Sequence, residues 1–208
     1  MIDELWLVHP DAEMQAAFRR RFDGLPGVRY FPGRFEELPQ IDAFVTAGNS
    51  YGIMTAGIDA AVIRRFGTEL MQQVQQHIAN EFLGEQPVGT AFLVATGDAA
   101  IPWIVHAPTM RTPGNIAGTD RVYNATWAAL LAIARQNRLH AQTGEPLLLR
   151  IAMPAMGTGF GGVAFDEAAR QMAAAYRHLQ NPPYRLDWDW VAERELTINY
   201  DNGRKVVR

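Results

Sequence analysis

The chain has 208 residues, 48% of them hydrophobic, with a formal net charge of −3, a length that suits one domain, or one domain with an extension, and is ample for a sizeable core. Cysteine is absent, which excludes disulfides and thiolate metal sites and fits a reducing, cytoplasmic setting. The mild acidity argues against broad nucleic-acid binding through charge alone, and no signal-like segment or long apolar run points to secretion or a membrane span.

Residues 4–9 (ELWLVH) read as a first buried strand. Met14, Ala17, Phe18 and Phe22 then fall at helical spacing over residues 11–22, and Leu25-Pro26-Gly27 ends that helix. Residues 28–31 form a short strand. Residues 41–47 (IDAFVTA) form another, with so little alternation that both of its faces should be covered. Two helices follow, over 58–66 and 68–83. Residues 89–96 and 103–107 read as strands, 120–139 as a long amphipathic helix, 147–154 (LLLRIAMP) as a strand and 165–179 as a helix. Asn181-Pro182-Pro183 is a break. Beyond it, DWDWVAEREL suggests one more helix, and the last residues suggest a hairpin turning at Asn202-Gly203. Strands alternating with helices specify an α/β fold with a mostly parallel sheet between helical layers.

In an open α/β sheet, ligands bind beyond the carboxyl ends of the strands. Two Gly-rich loops fall at such ends. One runs over residues 48–57 after the 41–47 strand, and the other over 157–162 after the 147–154 strand. Each leads into a helix. Consecutive N–H groups in such loops form anion-binding concavities, and a following helix adds its partial positive end. Two of them on neighbouring strands suit the two phosphates of a pyrophosphate. Neither loop is followed by the Gly-Lys-Ser/Thr of a P-loop, and neither carries the dinucleotide fingerprint.

These residues resemble the macro domain family, the modules that bind ADP-ribose. The first loop matches in type and spacing. Ala47-Gly48-Asn49 ends a strand, a small-residue run follows, and Gly57-Ile58-Asp59 opens a helix, with no gap between Asn49 and Asp59. The second loop, IAMPAMGTGFGG, resembles the family's strand followed by Pro-Ala-hydrophobic-Gly-Thr-Gly. WIVHAPT resembles its His-containing strand end. The resemblance covers most of residues 41–176.

It implies a three-layer α/β/α sandwich around a mixed, mostly parallel sheet. A macro-like domain would span residues 1–180, with 181–208 an extension packed on it. ADP-ribose would lie across the strand ends. Asn49 would face the distal ribose, and Gly57 and Ile58 would offer backbone to the phosphates. Gly157, Thr158, Gly159, Phe160, Gly161 and Gly162 would wrap the pyrophosphate from the other side. Thr46, Gly48 and Ser50 complete the expected ligand-binding set. In hydrolytic members the Asn and the helix-opening Asp contribute to removing ADP-ribose from a modified carboxylate. Asn49 would position the sugar and Asp59 would orient or activate a water, with no metal and no cofactor. The expected partners are ADP-ribose or an ADP-ribosylated protein or small molecule, not a membrane or a nucleic acid.

The sequence also departs from the best-known hydrolytic members. Thr46 stands where they often carry a second Asn. Gly161 stands where they often carry an aromatic, with Phe160 beside it. Arg34 follows Gly33 where they usually have an adenine-reading Asp, with Glu36 and Glu37 as nearby substitutes. Three functions stay open: a metal-independent ADP-ribosyl hydrolase, a non-catalytic ADP-ribose reader, and a nucleotide or RNA-end binding module. His106, in an apolar strand, reads as a core or loop-bonded histidine. Arg111, in the 108–115 loop, reads either as a phosphate ligand or as part of a solvated surface loop.

Overall fold

Along each central strand the side chains alternate between two separate apolar cores. Ala43 and Val45 point into one and Phe44 into the other, as do Ile151 and Met153 against Ala152, and Val105 against Ile104. A strand covered on both faces needs no polar side, which is why these segments read as unbroken apolar runs. The computed structural model describes residues 2–201 and 204–205. Its main sheet contains β1 (Glu4–Val8), β2 (Val28–Phe31), β3 (Ala43–Thr46), β4 (Phe92–Ala95), β5 (Trp103–His106) and β6 (Arg150–Pro154). They lie in the order β2-β1-β6-β3-β5-β4. All neighbours are parallel except β4 and β5. This is the expected mixed, mostly parallel sheet.

The first core is closed by helices α1 (Ala12–Arg21), α4 (Arg121–Thr143) and α5 (Phe165–Gln180). The second is closed by α2 (Gly57–Phe66) and α3 (Thr68–Glu81). Helix–sheet–helix layering follows. Phe18, Phe22, Phe44, Leu5 and Tyr176 are among the largest fully buried side chains, each contributing about 1.5–3 kcal/mol by removal from water. Asp11 caps α1, its carboxylate accepting from the N–H groups of Glu13 (2.7 Å) and Met14 (3.4 Å).

Some boundaries differ from the sequence reading for identifiable reasons. The strand expected from residue 147 starts at Arg150. Ahead of it, the Leu148 N–H donates to Asn137 Oδ1 (2.7 Å) and the Leu149 N–H to Asp42 Oδ2 (2.8 Å), so side chains replace the ladder. Helix α4 runs past residue 139 to Thr143 and stops at Gly144, which takes the left-handed conformation at φ +79°. A short 3-10 turn, Phe35–Glu37, interrupts the segment between β2 and β3.

The segment after Asn181 forms helix α6 (Trp188–Asn199) and two short antiparallel strands, β7 (Tyr200–Asp201) and β8 (Arg204–Lys205). The expected turn at Asn202-Gly203 lies outside the described residues. Arg194 anchors α6 on α4: its guanidinium donates to the Tyr123 hydroxyl (2.6 Å) and lies 4.5 Å from the Trp127 ring centroid. Arg170 of α5 donates to the carbonyls of Thr197 (2.6 Å) and Ile198 (3.1 Å).

Candidate functional site

Strands β6 and β3 are neighbours near the middle of the sheet. Their parallel direction brings the two Gly-rich loops to the same edge. The β5 loop lies to one side, and the β1 and β2 loops lie to the other. A cleft of about 540 Å³ crosses all of these strand ends.

Of the residues singled out in the sequence, Gly48, Asn49, Gly57, Ile58, Asp59, Gly157, Thr158, Gly159, Phe160 and Gly161 line this cleft. Thr46, Ser50 and Gly162 do not. Thr46 is fully buried beneath Asp59. Ser50 is buried, its N–H donating to the Met110 carbonyl (3.1 Å), so it fastens the first loop to the β5 loop. Gly162 donates to the Gly159 carbonyl (3.0 Å), which closes the second loop on itself.

The floor of the cleft holds one buried carboxylate. Asp59 is 5% exposed and sits in the first turn of α2. Thr46 Oγ1 donates to Asp59 Oδ1. Burial pushes the carboxyl pKa up to about 6, and the Thr46 hydroxyl opposes the rise. The residue before the helix, Ala56, offers no side-chain cap. Among the described residues, the N–H groups of Gly57, Ile58 and Asp59 have no partner, as expected of an uncapped first turn. Gly57, Ile58 and Asp59 themselves line the cleft. The second loop is similar. The N–H groups of Thr158, Gly159, Phe160 and Gly161 donate to no group among the described residues. Two sets of unpaired donors thus flank one space, the arrangement that holds an anion.

Asn49 has a second role besides facing the cleft. Its Nδ2 donates to the Ile53 carbonyl (2.9 Å), and its Oδ1 accepts from the N–H groups of Tyr51 (3.1 Å) and Ile53 (3.4 Å). The side chain therefore braces its own loop. Gly48 is small for a steric reason, since a Cβ there would stand 2.4 Å from His106 Nε2. His106 is fully buried. Its Nδ1 lies 2.7 Å from Gln86 Oε1, and burial pushes its pKa down to about 4. It is a neutral, loop-supporting core residue, donating to Gln86 through Nδ1–H. Its Nε2 and the Thr109 hydroxyl are buried polar atoms without a hydrogen-bond partner among the described residues.

Gly161 is fixed by its neighbours, because a Cβ would fall 2.2 Å from the Gly157 carbonyl oxygen. The aromatic of this loop stands instead at Phe160, which lines the cleft and is 62% exposed. Arg111 does not line the cleft; its guanidinium donates to Glu85 (2.7 Å), which also accepts from the Tyr51 hydroxyl (3.0 Å). The rest of the β5 loop does reach the cleft through Thr109, Met110, Thr112 and Pro113.

Sequence reasoning passed over His9 and Pro10, which follow β1, and Arg64 on α2, all of which line the cleft. His9 and Pro10 sit at a strand's carboxyl end, the signal that flagged the two Gly-rich loops. Glu36 also lines the cleft, whereas Glu37 accepts from the Arg34 N–H (2.7 Å) and serves as a local cap. No residue of 181–199 lines it. Among the described residues no cluster of His, Asp and Glu is placed to hold a metal, and no helix is long and apolar enough to cross a membrane.

The Macro domain family model matches residues 45–172. An uncharacterized protein of Aquifex aeolicus is 33% identical over 139 residues, covering 67% of this chain and 74% of its own. An uncharacterized protein of Aeropyrum pernix is 32% identical over 134 residues, 64% of this chain and 62% of its own. Among solved structures, a mutant Oceanobacillus iheyensis macrodomain with ADPR superposes with a TM-score of 0.59 at 20% identity, covering 86% of this chain and 80% of that one. The macrodomain of Mycobacterium tuberculosis DarG gives 0.53 at 20% identity, with 67% and 84% covered. At these identities the structural matches speak for the fold.

Proposed function

The chain belongs to the macro domain family, and we propose that its cleft binds ADP-ribose or an ADP-ribosyl derivative and hydrolyses it without a metal. One observation carries the reading. The unpaired N–H groups of α2 and of the 157–161 loop face a single space whose floor is the Asp59 carboxylate. A pyrophosphate satisfies both sets of donors, and the helix dipole adds to the attraction. The similar Oceanobacillus iheyensis macrodomains hold ADPR and ADP, which are diphosphates of this kind.

The chemistry asked of the site is modest. Water adds at the anomeric carbon, the bond from that carbon to the acceptor oxygen breaks, and a carboxylate acceptor leaves without needing a proton. The water's proton passes to Asp59 or to solvent. With a pKa of about 6, Asp59 is mostly ionised at neutral pH yet basic enough to orient and polarise that water. Asn49 and Phe160 border the space for the distal sugar, and fixing its pose supplies the rest.

A second reading, a reader that binds ADP-ribose without turnover, is favoured by Asn49. Its amide is engaged with Tyr51 and Ile53 rather than aimed wholly at a ligand.

Calorimetric titration of ADP-ribose, with AMP as control, tests the binding. Heat with ADP-ribose that is weakened in Asn49→Ala supports the site; no heat removes it. Release of ADP-ribose from an ADP-ribosylated carboxylate substrate by wild type but not by Asp59→Asn marks a hydrolase. Binding without release marks a reader.

A further inference from the structure

Helix α6 has two apolar faces, and the fold uses one of them. Asp187 starts the helix, its carboxylate accepting from the Trp190 N–H (3.0 Å) and its carbonyl from the Val191 N–H (3.0 Å). Arg194, Thr197 and Ile198 then face the domain. Arg194 lies over the Tyr123 and Trp127 rings, the Thr197 hydroxyl meets His178 Nε2 at 3.1 Å, and Ile198 is buried. Trp188, Ala192 and Leu196 recur at every fourth residue on the other side. All three are exposed, Trp188 by 85% and Leu196 by 62%. Tyr184 and Leu186, in the segment leading into the helix, are exposed as well. Single exposed hydrophobics need no explanation. Here four of the nine large ones among the described residues fall between Tyr184 and Leu196, which marks an interaction surface.

Shape and charge together select the occupant. A row at every fourth residue is a ridge that packs into the groove of another helix, and the small Ala192 at its centre lets that helix approach. Asp189 and Glu193 run along one edge of the row, four residues apart. Both are exposed, and neither has an ion-pair partner among the described residues. Arg185 is already paired with Asp187 (3.3 Å), and Arg194 is turned to the domain. An acidic edge repels an anionic membrane surface. An antiparallel second copy of α6 would set acid against acid along the same edge. A basic helix meets neither obstacle.

We propose that the Trp188–Leu196 face of α6 is a docking site for a basic amphipathic helix of a protein partner. The partner's apolar residues sit on the ridge, and its Lys or Arg side chains pair with Asp189 and Glu193. No residue of α6 lines the cleft, so the docked helix leaves the ligand site open and ties it to the partner. The assignment does not depend on what the cleft holds.

The probe is a synthetic fluorescent peptide of about 18 residues, with leucines on one helical face and lysines on both sides of them. Its control carries glutamates in place of the lysines. Anisotropy titrations use the full chain as wild type, as Leu196→Ser, and as the double variant Asp189→Lys with Glu193→Lys. Wild type is expected to bind the lysine peptide with roughly micromolar affinity and the glutamate peptide at least about tenfold more weakly. Leu196→Ser should weaken the lysine peptide roughly tenfold. The double charge reversal should invert the preference between the peptides. Thermal midpoints of both variants should match wild type, because the positions are exposed. Equal binding of the two peptides, or none of the lysine peptide, overturns the proposal. So does lysine-peptide binding that survives Leu196→Ser or the charge reversal. Sedimentation of the free chain gives a further check: a dimer that Leu196→Ser abolishes assigns the ridge to a second copy and overturns the proposal. Trp188 emission, taken as the difference between wild type and Trp188→Phe, should be freely quenched by acrylamide in the free chain and protected by the lysine peptide. Protection in the free chain means that the ridge is already covered, which overturns the proposal too.

Discussion

Thr46, the last residue of β3, donates its hydroxyl proton to the carboxylate of Asp59, in the first turn of α2. Both side chains are buried. The contact ties the end of a central strand to the start of the helix that borders the cleft. It also stabilises the ionised form of Asp59 against burial, which favours the protonated form. Removing the donor in Thr46→Val should therefore raise the Asp59 pKa above about 6. If Asp59 acts as a carboxylate in turnover, the acid limb of the kcat/KM profile falls near pH 6 in wild type. It should move up by roughly one unit in Thr46→Val, while Thr46→Ser keeps the wild-type limb. A hydrolysis pH profile of the three proteins decides this, and an unmoved limb would remove Thr46 from the mechanism.

The same burial makes Asp59 a cost to folding. Its pKa is about 6 in the folded chain against 3.8 ordinarily. The folded state therefore holds the proton more tightly. The linked stability is fully present below pH 3.8 and is lost as pH rises through 6. Above that, the penalty is on the order of 3 kcal/mol. Asp59→Asn keeps the shape and removes the charge. It should raise stability by about 1–3 kcal/mol at pH 8 and much less at pH 4, while abolishing turnover. Urea denaturation at the two pH values checks the sign. A variant that is destabilised at pH 8 would mean that the carboxylate is better paired than its surroundings indicate.

The fold was legible because its signals are local. Val45 and Phe44, or Met153 and Ala152, lie in apolar runs that fit only a strand covered on both faces. The Gly-rich stretches after β3 and β6 marked the cleft through residue type and place in the chain. What escaped the sequence depends on which distant groups meet. Thr46 was expected to touch a ligand, yet it lies beneath Asp59, a contact that exists only once α2 packs over β3. Arg111 had a phosphate role as one of its two readings, and nothing in the 108–115 loop announced its partner Glu85, 26 residues earlier. The aromatic of the second loop stands one residue early, at Phe160. Gly161 cannot carry a side chain because its backbone lies against the Gly157 carbonyl, and no pattern of residue types states that clearance.

Gly48 separates packing from ligand contact. A methyl group there would stand 2.4 Å from His106 Nε2, and His106 has no room to retreat, being fully buried and bonded to Gln86. Gly48→Ala should cost about 1–3 kcal/mol by overpacking, seen as a lower urea midpoint with an unchanged slope. His106→Ala in the same chain opens space for the methyl. The double variant should then be less destabilised than the sum of the two single changes. Strict additivity would show that the methyl and the ring do not meet.

Phe160 offers the converse case. It lines the cleft but is 62% exposed, so the fold draws little from it. If it packs on the distal sugar, Phe160→Ala should weaken ADP-ribose binding roughly tenfold, about 1.4 kcal/mol, in the range of an aromatic contact of this kind. Its unfolding midpoint should match wild type. Moving the aromatic to the family's usual position should fail for a different reason. Gly161→Phe drives a Cβ into the Gly157 carbonyl and should destabilise the whole loop. Calorimetry and thermal denaturation of both variants separate the two effects. An Ala at 160 that binds as wild type would mean the ring faces the cleft without touching its occupant, and the sugar would then be held by the Asn49 side alone.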